Sequence, residues 1–165
     1  ILITHGHQDH IEGLNDVNGD SDSLVGIGQD DRPSLPIPNT FGIDVSTNQN
    51  LNIGDISIRA MATPGHTPGS TCYILESTES IAAGEPSHVF TGDTLFPGGP
   101  GKSSSHKALK KIFESLETHI FTLPESTVVL PGHGEFTTIA KSNREYAAFT
   151  SRPLDPTLSG DVTWA

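Results

Sequence analysis

The sequence predicts a mixed α/β domain of the α+β kind, a sandwich of two sheets with helices on the outside. Three observations carry that expectation. Short apolar or alternating runs recur at residues 1–4, 55–62, 71–75, 88–90 and 127–130, and most end in a glycine-bearing turn. Two other stretches, about 104–119 and 138–149, instead have the length and composition of helices, and apolar residues recur at helical spacing in the first. The length of 165 residues suits one domain, taken over 1–165, with a core of real size.

Taken from the N-terminus, Ile1-Leu2-Ile3-Thr4 reads as a strand that runs straight into His5-Gly6-His7-Gln8-Asp9-His10. Four of those six residues are metal-ligand types. Strand residues two apart share a face, so His5 and His7 present two imidazoles to one ion. Asp9 and His10, on the following turn, can reach a second. Such a cluster is costly unless something cationic sits within it. Residues 10–15 suggest a short helix ended by Asn18-Gly19-Asp20, and 24–27 a strand. Pro33, Pro36 and Pro38 make 29–40 a surface loop. Residues 41–45 and 55–62 alternate as half-buried strands do.

Further along, 79–87, with Gly84 and Pro86, reads as a hairpin-like connection between Tyr73-Ile74-Leu75 and Val89-Phe90. In the first long helix Ala108, Leu109, Ile112, Phe113, Leu116 and Ile120 recur, and Ser103 to Ser105 offer an N-cap. His106 and His119 read as surface residues on or near that helix, and His88 has no assigned role. The tail after Arg152, with Pro153, Pro156 and Gly160, is expected to run over the surface.

A zinc-type site needs three or four ligands per ion, so the opening cluster is not sufficient alone. Three more candidates follow strands inside glycine turns. They are His66 in Pro64-Gly65-His66, Asp93 in Gly92-Asp93 and His133 in Gly132-His133.

These motifs resemble the metallo-β-lactamase superfamily. His5, His7, Asp9 and His10 match its H-x-H-x-D-H signature, and His66, Asp93 and His133 match its later ligand positions in order. The resemblance implies a four-layer αββα sandwich whose N-terminal strands are missing from this chain. It implies a first metal ion on His5, His7 and His66, a second on Asp9, His10 and His133, and Asp93 bridging both. Two divalent ions are expected, zinc foremost, since His and Asp donors also accept iron or manganese.

Asp93 points to the branch. In this superfamily the true β-lactamases often carry cysteine or serine there, whereas hydrolases of thioesters and phosphodiesters carry the bridging aspartate. The stretch Gly92-Asp93-Thr94-Leu95-Phe96, followed by glycines and Lys102, looks like the same loop in glyoxalase II-like hydrolases. Pro100 and Lys102 stand where cysteine and arginine are frequent, and no counterpart of the glutathione-binding C-terminal helices is found. The expected reaction is hydrolysis of a small acyl substrate, a thioester of the hydroxyacylglutathione type, by a hydroxide bridging two metal ions. Asp9 or Asp93 is the candidate for taking the proton from the attacking water. Lys102 and the amides at the start of the following helix are the candidate holders of a substrate carboxylate. One alternative is a persulfide dioxygenase-like enzyme with a single iron on His5, His66 and Asp93. Another is a non-catalytic, partner-dependent metal-binding remnant.

Composition narrows the partners. A formal net charge of −11 with no basic run argues against nucleic acid. No apolar stretch reaches the length of a membrane-spanning helix. The single cysteine, Cys72, excludes an intrachain disulfide and fits a reducing cytoplasm. It lies in a strand and reads as a small buried hydrophobe.

Overall fold

The computed structural model describes residues 1–19, 23–36, 42–44, 50–54, 56–76, 84 and 86–164. After the signature come two short helices, α1 (Gln8–Ile11) and α2 (Leu14–Asn18), then strand β1 (Val25–Ile27). A 3₁₀ helix, Gln29–Ser34, precedes β2 (Gly42–Asp44) and β3 (Asn50–Ile53). The central strands are β4 (Ile56–Ala62), β5 (Thr71–Glu76) and β6 (His88–Gly92). A small hairpin, β7 (Leu95–Phe96) and β8 (Gly99–Pro100), leads to helix α3 (His106–Ser115). This helix continues as a π turn, Leu116–Ile120. Strands β9 (Val128–Pro131) and β10 (Thr137–Thr138) and helix α4 (Ile139–Thr150) complete the order.

Six strands form the main sheet in the order β10-β9-β6-β5-β4-β3. Every neighbouring pair is antiparallel except β6 with β9. It follows that β4, β6 and β9 run in one direction and end at the same edge. Side chains alternate as strand geometry requires. Met61, Cys72, Ile74, Val89 and Val129 face one way, into a core closed by Leu109, Ile112, Leu116 and Ile120 of α3 and its π turn and by Ile139 and Tyr146 of α4. The opposite face carries Ala60 and Tyr73, with Leu2, Leu51 and Ile58 packed on them.

The second sheet is slighter than the sandwich reading anticipates. Among the described residues it is the parallel pair β1–β2, to which the N-terminal segment attaches through one bridge, Leu2 to Gly26. The opening segment is thus extended but barely paired. Its Ile3 packs with Ile11, Leu14, Val25 and Ile27 in a small core separate from the main one. The proline-marked loop is corrected over its first half: 29–34 is a 3₁₀ helix with Pro33 inside it. The turn fits because 3₁₀ stretches are short and because Asp31 is anchored from outside the segment, as described below. Residues 37–41, 45, 55 and most of 79–87 lie outside the described residues. The hairpin β7–β8 is a feature the sequence pattern does not announce, since its two-residue strands sit among glycines.

Helix α3 begins where the serines suggest. The Ser105 hydroxyl accepts a hydrogen bond from the Ala108 amide at 3.2 Å. Its inner face lies against the turn after β4. A side chain at Gly65 would collide with Ile112, and the Ser115 hydroxyl donates to the Pro64 carbonyl at 2.9 Å. The helix therefore buttresses the turn that carries His66. Ile112→Ala removes fully buried methyl groups at this contact and is expected to cost about 3 kcal/mol of stability in urea denaturation.

Candidate metal centre

Topology gathers the site. His66 follows β4, Asp93 follows β6 and His133 follows β9, and all three strands end at one edge. The signature reaches the same edge by a single backbone bond, in which the Thr71 amide donates to the Thr4 carbonyl at 2.8 Å. Thr71 opens β5 opposite Ala62, the last residue of β4, so His5 emerges beside the three loops. Between Phe90 and Gly92 the register of β6 on β9 slips, and Gly92 adopts a left-handed φ of 49°. Bulges of this kind re-aim the next side chain, here Asp93. A side chain at Gly92 would strike Thr4, so the glycine also admits the signature strand.

The seven candidate ligands converge as three overlapping groups, each with its donor atoms within 4.8 Å of one another. The groups are His5, His7 and His66; His5, His10 and Asp93; and Asp9, His10 and His133. Nδ1 of His7 lies 3.2 Å from Nε2 of His5 and 2.9 Å from Nε2 of His66. Nε2 of His10 lies 3.2 Å from Nε2 of His133, which is 3.1 Å from Oδ2 of Asp9. Asp93 lies between the two ends. Its Oδ2 is 3.6 Å from His66, while its Oδ1 is 3.3 Å from His10 and 3.8 Å from His133.

A divalent ion fits this donor set. Ligands about 2.1 Å from a tetrahedral zinc sit roughly 3.4 Å apart, close to the separations here. Oδ1 of Asp93 is buried and accepts no hydrogen bond, an arrangement unfavourable for a carboxylate oxygen unless a cation faces it. Gly132 is part of the fit, because a side chain there would run into that same Oδ1 and lie 2.7 Å from the His10 ring. The tautomer of His66 is also set. Its Nδ1 donates to the Lys102 carbonyl at 2.8 Å, which leaves the Nε2 lone pair facing the cluster.

Lys102 differs from its sequence reading in one respect. It touches the centre through its carbonyl, while its exposed ammonium lies 3.8 Å from Asp161. Phe96 of β7 stacks near His133 with ring centroids 6.5 Å apart. Of the other histidines, His88 is exposed and His106 donates from Nδ1 to the Leu158 carbonyl at 2.8 Å. Cys72 is fully buried, and burial pushes its thiol up to about 11, so it is an inert packing residue as its strand position suggests.

One residue of the centre has no signal in the sequence beyond a stray acidic pair. Asp31, buried in the 3₁₀ helix, accepts from the Gly6 amide at 2.9 Å and the Thr67 hydroxyl at 2.6 Å through Oδ2, and from the Gly69 amide at 2.8 Å through Oδ1. It ties the loop of His5 and His7 to the loop of His66. Each donor lies 25 to 38 residues from Asp31 in sequence, which is why composition alone does not reveal the tie.

The chain is 32% identical over 176 residues to the probable metallo-hydrolase YqgX of Bacillus subtilis, a match covering 97% of this chain and 75% of that protein. The chain belongs to the metallo-β-lactamase superfamily. A probable hydroxyacylglutathione hydrolase of Schizosaccharomyces pombe, glo2, is 33% identical over 150 residues, covering 90% of this chain and 51% of its own length. Among solved structures, ETHE1 of Myxococcus xanthus superposes with a TM-score of 0.70 at 26% identity, over 92% of this chain and 63% of that one. TTHA1623 in a di-iron-bound form gives 0.66 at 25% identity, over 87% and 74%. No protein-family model matches the sequence. Mixed α and β architecture with a multi-stranded sheet is thus the superfamily fold, and superfamily membership implies divalent metal at a His/Asp centre.

Two outcomes are expected from the geometry. Asp31→Ala strands two amides and a hydroxyl, and should lower stability by about 3 kcal/mol while weakening metal retention. Parallel urea denaturation and metal titration check this, and undiminished metal affinity would mean the two loops hold their places unaided. His5 is held near 3 instead of its usual 6.5, first by burial and then by His10, His66 and His7. The unfolded chain therefore takes up a proton below about pH 6.5 that the folded chain refuses until about pH 3. Stability of the metal-free protein should be fully present above that window and fall steadily through it, as the urea midpoint measured against pH will register.

Proposed function

We propose that this chain is a binuclear metal-dependent hydrolase that cleaves a small acyl substrate, above all a thioester. The observation that carries the reading is Asp93, whose two oxygens face different groups of imidazoles and whose Oδ1 lacks a hydrogen-bond donor. A carboxylate so placed suits a bridge between two ions better than a ligand to one. Under this reading His5, His7 and His66 hold one ion and Asp9, His10 and His133 the other, zinc in both. When bound, the ions would supply a hydroxide at neutral pH and polarise the acyl carbonyl. Asp9, exposed beside His133, or Asp93 would accept the proton of the attacking water under this reading. A thiolate leaves readily, so the reaction does not require a general acid.

The thioester preference draws support from an aspartate at position 93, from the loop that follows it, and from the hydroxyacylglutathione hydrolase relative. The chain spans about half the length of that relative. The acidic surface disfavours nucleic acid, and no helix of the described residues is long and apolar enough to cross a membrane. The lone buried cysteine is compatible with a cytoplasmic setting.

Likeness to ETHE1 keeps a second reading in view, persulfide oxygenation at one iron on His5, His66 and Asp93. Elemental analysis of protein purified without chelator separates the readings. About two ions per chain, with thioester hydrolysis abolished and the paired site lost in Asp93→Ala, is the expected result. One iron with oxygen consumption would favour the oxygenase, and absence of stoichiometric metal the non-catalytic remnant.

A further inference from the structure

We propose that the cavity beside His66 receives the anionic end of the thiol carrier from which the acyl group is cleaved; this rests on the thioester reading above. The cavity, about 450 Å³, lies between the turn after β4 and the first turns of α3. His66 forms part of its wall, so a molecule lodged there borders the metal centre without filling it. Pro64 and Pro68 give it an apolar side. Lys107 and Lys111, one helical turn apart on α3, give it two ammonium groups on a common face. Asp30 is the one carboxylate among the lining residues.

Charge and size both favour an anionic carrier. The sequence carries only nine Lys and Arg against a net charge of −11, yet Lys102, Lys107, Lys110 and Lys111 fall within ten residues. Among the described residues, Lys107 and Lys111 form no salt bridge, whereas Lys102 lies near Asp161 and Lys141 near Glu145. In a strongly acidic protein, two ammonium groups not engaged by nearby carboxylates make a local attraction for a carboxylate or phosphate. The volume lies in the range of sites that enclose a drug-sized molecule, well beyond a small acyl group alone. An extended carrier fits the combination, its uncharged stem along the prolines and its anionic end at the lysines.

Hydrolysis-proof thioethers test this on the metal-loaded protein by calorimetry. S-hexylglutathione offers carboxylates, S-hexyl-coenzyme A offers phosphates, and S-hexylpantetheine is a neutral control. At least one anionic probe should bind the wild type more tightly than the neutral one, with added salt weakening it. Lys107→Glu/Lys111→Glu should weaken that probe by about tenfold or more and leave metal content and neutral-probe affinity unchanged. Lys107→Gln/Lys111→Gln, with a smaller loss in the same direction, covers the case of a misfolded reversal. Which anionic probe responds tells carboxylate from phosphate. Equal binding by wild type and variants, or no anionic probe binding at all, overturns the proposal. Because the probes are not cleaved, binding without any thioesterase activity would sink the hydrolase reading and leave the anion site standing.

Discussion

Five imidazoles and two carboxylates crowd one edge of the main sheet, with ring nitrogens 2.9 to 3.2 Å apart. Each neutral imidazole has a single N–H and a single lone pair, so only some of these approaches can be hydrogen bonds. Protonation offers no relief at His5, which burial and its histidine neighbours keep neutral far below its usual range. What remains is a set of lone pairs and carboxylate oxygens that a cation would satisfy together. Much of the surrounding structure can be understood as the means of holding these groups close.

Three kinds of support do that holding. The parallel sense of β4, β6 and β9 delivers three ligand loops to one place, and the Thr71–Thr4 bond brings the signature to them. Asp31 and the Lys102 carbonyl then fix the orientation of the loops and of one ring. Behind the turn of His66, α3 packs so closely that Gly65 has no room for a side chain. Lys107 and Lys111 of the same helix line the cavity between its first turns and that turn. Core packing, ligand geometry and the flank of the site are thus coupled through one helix.

Superfamily membership sets the fold and the general chemistry but not the substrate, because sites are varied on a shared scaffold. Here the parts that border the metal centre without holding an ion are the short hairpin β7–β8, with Phe96 beside His133, and the surface of α3. The metal end of the site is built from backbone turns and buried polar contacts that tolerate little change. Of its flanks, the hairpin is anchored by the fully buried Leu95, whereas Lys107 and Lys111 of α3 are exposed side chains.

The seven ligand-type residues and their grammar of strand, glycine, ligand are legible in the sequence, because tight turns and strand alternation are local rules. Helix α3, its Ser105 cap and most strands of the main sheet are legible for the same reason. Tertiary structure alone decided that β6 and β9 pair in parallel, that the register slips before Asp93, and that Asp31 joins two loops. It also turned part of a proline-marked loop into a 3₁₀ helix and gave Lys102 a role through its carbonyl. Those decisions depend on contacts between residues tens of positions apart. A local pattern records what a residue can do; only the folded chain settles which distant partner it meets.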